Sequence, residues 1–181
     1  IGGDHTTAIG LYSGLARATD QVGIVWIDTH PDLNTPETTP SGNIHGMVLA
    51  TLLGRGSETM LSSAKPCKTK EHQVAMVGVR DIDAGEQRWL DEGNITCLTM
   101  DYIFEHGLNH SITNAIEVAN TAKAGFGLTI DLDAIDPIDA PFVGGGFVAG
   151  VPVGCCLGMK DSLIGVCVSW RLFLPTRLWS S

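Results

Sequence analysis

The sequence predicts an α/β fold: a mainly parallel sheet with helices on both faces, three layers in all. Two observations carry this. Unbroken apolar runs, "VGIVWI" at 22–27, "QVAMVGV" at 73–79, "ITCLT" at 95–99 and "FGLTI" at 126–130, alternate with stretches of helical character. Strands alternating with helices through short connections indicate a parallel sheet. Runs without polar alternation fit strands covered on both faces, and right-handed crossovers place helices on both sides.

The elements follow in order. "TTAIGLYSGLARAT" (6–19) sets Ile9, Tyr12, Leu15 and Ala16 on one side, with Asp4 or Thr6 as N-cap, and predicts a helix. After the strand at 22–27 comes a long polar loop to His45. "GMVLATLLG" (46–54) is a short apolar helix closed by Gly54. Residues 55–72 read as irregular. The strand at 73–79 precedes a helix at 83–93 that ends at Gly93, then the strand at 95–99. "NHSITNAIEVANTAKAG" (109–125) is amphipathic, with Ile112, Ala115, Ile116 and Ala119 aligned, and leads into the strand at 126–130.

After Pro141 the pattern changes. "FVGGGFVAGVPVGCCLG" is Gly-rich without a period, and "VCVSWRLFLPTRLWSS" carries no cap or turn signal, so no element is placed there. The expectation is one domain over 1–181 with a divergent tail at 142–181. Because the chain opens on Ile1 inside a loop-like "IGGDH", it is expected to be a piece of a longer protein, without its N-terminal section and with an aberrant C-terminal end.

Composition narrows the function classes. The chain has 181 residues, enough for a real core, and is 44% hydrophobic and 17% charged. A net charge of −9 argues against nucleic acid or an anionic membrane as partner. There is no apolar run long enough to span a bilayer. The five cysteines, Cys67, Cys97, Cys155, Cys156 and Cys167, form no CxxC and read as reduced structural thiols in a cytoplasmic protein.

The chemistry concentrates at two strand ends. "VWI" runs into Asp28, with His30 and Asp32 at the next alternate positions. "LTI" runs into Asp131, with Asp133 two residues on. Spacing by two puts side chains on one face of extended backbone, and parallel strands deliver their C-terminal ends to one edge. If the two strands are neighbours their ligands share one pocket, and His5, in the turn before the first helix, could join from a third position. Either motif alone is equally compatible with loop capping, or with turn chemistry before Pro137. Together they make four carboxylates and two imidazoles, whose mutual repulsion divalent cations would remove. Oxygen and nitrogen donors without thiolate favour Mn²⁺, and six ligands suit a bridged pair.

"GGDHT", "DTHPDLN…SGNIHG", "VGVRDIDAGE" and "IDLDAIDPIDAP" resemble the ureohydrolase (arginase/agmatinase) family, its arginase branch most closely, over residues 1 to about 141. The resemblance implies an arginase/deacetylase-like fold, two Mn²⁺ ions, and hydrolysis of the guanidinium group of L-arginine to urea and L-ornithine. By motif, one ion would take His5, Asp28, Asp32 and Asp131, and the other Asp28, His30, Asp131 and Asp133. Asn34, Ser41 and Asn43 match the positions that hold the α-carboxylate, and Asp83 the residue near the α-amino group. His45 matches the proton-shuttling imidazole, and Asp133 would relay a proton. A homo-oligomer, trimer or hexamer, is implied as well.

The chain departs from that pattern at several points. Thr29 stands where the family usually has Ala, and Pro31 where it often has a polar residue. Gly near position 145 replaces a substrate-seating Thr. No Glu follows Glu117, so the carboxylate that grips the guanidinium is missing from this chain. Impaired turnover is therefore expected. Competing readings are an agmatinase-type ureohydrolase and a non-catalytic metal-binding remnant; a single-Zn²⁺ deacetylase on a related fold fits the donor set less well.

Overall fold

Each apolar run becomes a strand because its residues alternate between two separate cores. In the computed structural model, which describes residues 2–19, 21–64 and 68–140 and the backbone of 163–169, β1 (Gly23–Ile27) is buried throughout. Ile24 and Trp26 face one cluster, Val25 and Ile27 the other. β2 (Val74–Val79) divides likewise: Val74 and Met76 go one way, Ala75 and Val77 the other. A strand that feeds two cores has no polar face, which is why these segments read as continuous apolar runs.

Helices cover both faces. α1 (Thr7–Ala18) and α2 (Val48–Leu52) pack Tyr12, Leu49 and Leu52 on the Trp26 side. The Ile27 side is covered by α5 (Met100–His106) and α6 (Leu108–Ala119), through Ile103, Ala115 and Ala119. Between β2 and β3 (Thr96–Thr99) lies α4 (Ala84–Glu92), which ends at Gly93 as expected, with Asp83 at its N-cap rather than inside it. Gly127 of β4 (Phe126–Asp131) makes room for α1: a Cβ there would lie 2.7 Å from Tyr12 Cε1.

All strand pairs are parallel, in the order β3-β2-β1-β4-β5, where β5 is Leu163–Ser169. The order reverses at β1. β1 and β4 are neighbours in register, Ile27 beside Ile130, so their C-terminal ends meet at the topological switch point where open α/β sheets bind ligands.

The structure differs from the sequence reading in four elements. α3 (Glu58–Ala64) occupies part of the stretch read as irregular; its "ETMLSSA" is too short and polar to show a period. α5 also goes unread, because Gly107 (φ +86°) splits the helical region into two short pieces. The helix expected over 109–125 stops at Ala119, and the chain then turns to Gly125 (φ +88°). β5 lies in the tail where no element was placed; its apolar run sits outside any recognisable βα punctuation. Cys97 is unbonded and partly buried, and burial pushes its thiol up to about 11, in keeping with a structural role. Cys67, Cys155, Cys156 and the Gly near 145 lie outside the described residues. Among the described residues no helix is long and apolar enough to cross a membrane.

Candidate metal centre and adjoining cleft

Six of the predicted side chains do converge, though not by strand alternation. β1 ends at Ile27, and residues 28–32 form a loop in which Asp32 adopts a left-handed conformation (φ +53°) that Asp tolerates better than most residues. The Asp32 carbonyl accepts the Ala50 N–H at 3.1 Å, tying this turn to α2. Asp131 is the last residue of β4, but Asp133 sits in a 3₁₀ turn, Leu132–Ala134, where its N–H donates to Asp131 Oδ1 at 3.2 Å. His5 enters from the turn before α1, where its carbonyl accepts the Ala8 N–H.

The result is two overlapping ligand groups. His5, Asp28 and Asp32 form one, and Asp28, His30 and Asp133 the other, each with donor atoms within 4.8 Å of one another. Asp28 belongs to both. Its Oδ2 lies 2.6 Å from His5 Nδ1, and its Oδ1 lies 3.5 Å from His30 Nδ1. Asp131 Oδ2 stands 3.5 Å from His5 Nδ1, and Asp133 Oδ2 stands 3.3 Å from His30 Nδ1. His5 is held from behind: its Nε2 pairs with Thr129 Oγ1 at 2.8 Å, and its ring stacks 3.9 Å from Trp26, whose indole N–H donates to Asp28.

Burial and crowded like charges set the protonation of this cluster. Burial raises the Asp32, Asp131 and Asp133 carboxyls, and the Asp28 charge raises them further; Asp131 reaches about 7. Burial alone would lower both imidazoles, yet the carboxylates outweigh it: His5 rises well above its ordinary range, and His30, paired first with Asp133, rises to about 11. Burial likewise opposes ionisation of Asp28, but His30 and His5 hold it well below the usual carboxylate range. The buried Asp32 Oδ2 makes no hydrogen bond although it points at the His5 nitrogen that Asp28 already engages. An orphaned carboxylate oxygen among oxygen and nitrogen donors fits a divalent cation.

A cleft of about 250 Å³ opens over these groups. Its wall includes Asn34, Ser41, His45 and Asp83. Asn34 is buried and donates from Nδ2 to Asp83 Oδ2 at 2.8 Å. Ser41 sits on an exposed loop, where its Oγ accepts the Asn43 N–H. Asn43 is exposed and does not line the cleft. His45 is half-buried in the 3₁₀ turn Ile44–Met47 that leads into α2.

The sequence profile of the arginase family matches residues 1–162. The chain belongs to the arginase family. It is 41% identical over 152 residues to an arginase of Bacillus subtilis (strain 168) and 40% identical over 153 residues to that of Bacillus caldovelox. In both cases 83% of this chain aligns with 51% of the relative, so this arginase-family chain spans about half the length of the curated relatives it matches. The crystal structure of the B. subtilis arginase superposes with a TM-score of 0.86 at 35% identity, covering 94% of this chain and 61% of that one. An arginase from Entamoeba histolytica, solved in complex with L-ornithine, superposes at 0.83 with 31% identity, over 94% of this chain and 60% of that one.

Several residues of this arginase-family site were not singled out in the sequence. Thr129 could have been: it lies two positions before Asp131 on the same strand face. Glu86 carries a recognisable signal too, as the fourth residue of an Asp83-x-x-Glu86 capping box. Its carboxylate accepts the Asp83 and Leu33 N–H groups, and burial pushes it up to about 7. Trp26 and Arg80 gave no signal, since one reads as core and the other as surface.

Proposed function

We propose that this chain carries the binuclear Mn²⁺ centre of a hydrolase that cleaves the guanidinium group of L-arginine to urea and L-ornithine. The observation that carries this reading is the shared Asp28: one carboxylate belongs to two three-residue ligand groups, the arrangement a bridged metal pair requires. His5, Asp28, Asp32 and Asp131 would hold one ion, and Asp28, His30, Asp131 and Asp133 the other. Bound divalent ions supply Lewis acidity and an activated water.

The protein's own groups do the rest. Asn34 and Ser41, on the cleft wall, offer neutral donors suited to the α-carboxylate of an amino-acid substrate, and Asp83 offers an anion for its α-amino group; Asn43, outside the lining, would have to turn inward to join them. The E. histolytica relative bound to L-ornithine supports a ligand of this type. His45 and Asp133 both line the cleft; in this reading His45 would protonate the departing amine and Asp133 would relay a proton. Assembly as a trimer or hexamer and a cytoplasmic location complete the proposal.

A second reading has its own observation. This sequence has no Glu after Glu117, where the resemblance would draw an anionic partner for the guanidinium, and the alternative is metal binding with reduced turnover. Urea release from arginine and from agmatine, with Mn²⁺ added, separates the readings. Urea from arginine alone supports the proposal; urea mainly from agmatine points to the agmatinase type. Tightly held Mn²⁺ without urea from either substrate favours the metal-binding remnant.

A further inference from the structure

Thr29 lies between two candidate ligands, Asp28 and His30, and is wholly buried. Its Oγ1 donates to the Asp133 carbonyl at 2.7 Å, and its N–H approaches Asp133 Oδ1 at 3.4 Å. Arg80 supplies a second donor to the same carbonyl from Nη2, at 3.0 Å, and its Nη1 reaches the carbonyls of Gly78 and Ala134. In return, the Thr29 carbonyl accepts the N–H groups of Arg80 and Asp81, at 2.9 and 3.2 Å. Thr29 is thus where the loop after β1, the end of β2 and the 3₁₀ turn after β4 are fastened together.

The tie matters because Asp133 is not fixed by a strand ladder. It sits in a three-residue turn beyond the end of β4, so the direction of its carboxylate depends on what holds its backbone. A carbonyl has two lone pairs; here Arg80 uses one and Thr29 the other. Only the His30 group contains Asp133. The His5 group is held by the Trp26 ring and indole N–H, by Thr129 Oγ1 and by the backbone bond between Asp32 and Ala50, and none of these is a bond to Thr29.

We propose that the Thr29 hydroxyl is a positioning group for one of the two metals: it orients Asp133 for the ion held with His30 and leaves the ion held with His5 unaffected. The inference rests on the binuclear reading above. An alanine at this position has no hydroxyl to make the bond, so the tie is a property of this chain's own sequence. Loss of an outer partner of a metal ligand typically weakens the metal by about 10–100-fold.

The test is a calorimetric Mn²⁺ titration with electron paramagnetic resonance of the loaded protein, on the unaltered chain, Thr29→Val and Thr29→Ser. Thr29→Val keeps the volume and removes the hydroxyl; Thr29→Ser keeps the hydroxyl. The unaltered chain is expected to bind two ions with a spin-coupled signal. Thr29→Val should bind one ion with unchanged affinity and the other at least about tenfold more weakly, its spectrum shifting to that of an isolated ion. Thr29→Ser should behave as the unaltered chain does. Two ions within twofold of the original affinities in Thr29→Val would overturn the inference. So would equal loss of both ions, or a Thr29→Ser variant as impaired as Thr29→Val. If the unaltered chain binds fewer than two ions, the binuclear reading itself fails, whatever the variants do.

Discussion

The two halves of the cleft are built differently. The metal end, residues 28–32 and 131–133, is buried apart from the half-buried His30 and Leu132, and continues directly from adjacent strands. The rim, residues 35–45, is a Pro-rich loop with Ser41, Gly42, Asn43 and Ile44 all exposed, and most of its hydrogen bonds are local, such as Gly42 N–H to Thr39 Oγ1. One half is preorganised by the fold; the other is shaped by short-range turns and the few anchors at Asn34, whose N–H also bonds the Gly46 carbonyl. The difference teaches that metal affinity should follow the integrity of the sheet, whereas substrate selection should respond to small changes in a loop.

The sharpest way to break this contrast is Asp28→Ala. It removes the ligand common to both groups, so both ions should be lost on dialysis, whereas Asp133→Ala should retain one; metal analysis of the dialysed proteins distinguishes them. Proton competition comes next. Without metal, His30 holds a proton to about pH 11, and His5 is raised as well. A metal must displace such protons, so affinity rises with pH and falls as pH is lowered. Each proton displaced makes this about tenfold per pH unit; titrations at pH 6.5, 7.5 and 8.5, in buffers of different ionisation enthalpy, should show proton release even at 8.5.

A substitution remote from the cleft reaches the metal end through the core. Gly127→Ala drives a methyl group toward the Tyr12 ring, a clash that typically costs about 1–3 kcal/mol, and it displaces α1, just after His5. A lowered melting temperature and a weaker His5 ion are expected, with the rim unchanged. Rim substitutions should show the converse. Asn34→Ala should weaken L-arginine or L-ornithine binding by about tenfold, on the order of one hydrogen bond to a charged group, with Mn²⁺ affinity retained. Ser41→Ala, on an exposed loop, should cost only a few-fold. If either rim variant lost its metal, the division between the halves would not stand.

Much of the metal end was legible in the sequence because its signals are local: an apolar run that stops at an acid, twice, with His and Asp close behind. Strand alternation does not bring Asp28, His30 and Asp32 together; a left-handed turn at Asp32 does. The end of α4 at Gly93 could be read for the same local reason. α5 and β5 could not, since a seven-residue helix split off by Gly107, and a strand in an apolar tail without turn chemistry, look alike at the level of pattern.

By itself the sequence determined the donor set, its charge, and the α/β class, since side-chain chemistry and the absence of polar alternation are fixed residue by residue. Only the tertiary structure decided that β1 and β4 are neighbours, that Asp28 is shared, and that Thr29 and Arg80 grip the turn bearing Asp133. Thr29 and Asp133 are 104 residues apart and Arg80 and Asp133 are 53 apart; such contacts exist because packing two cores against one sheet leaves a single edge where the strand ends can meet.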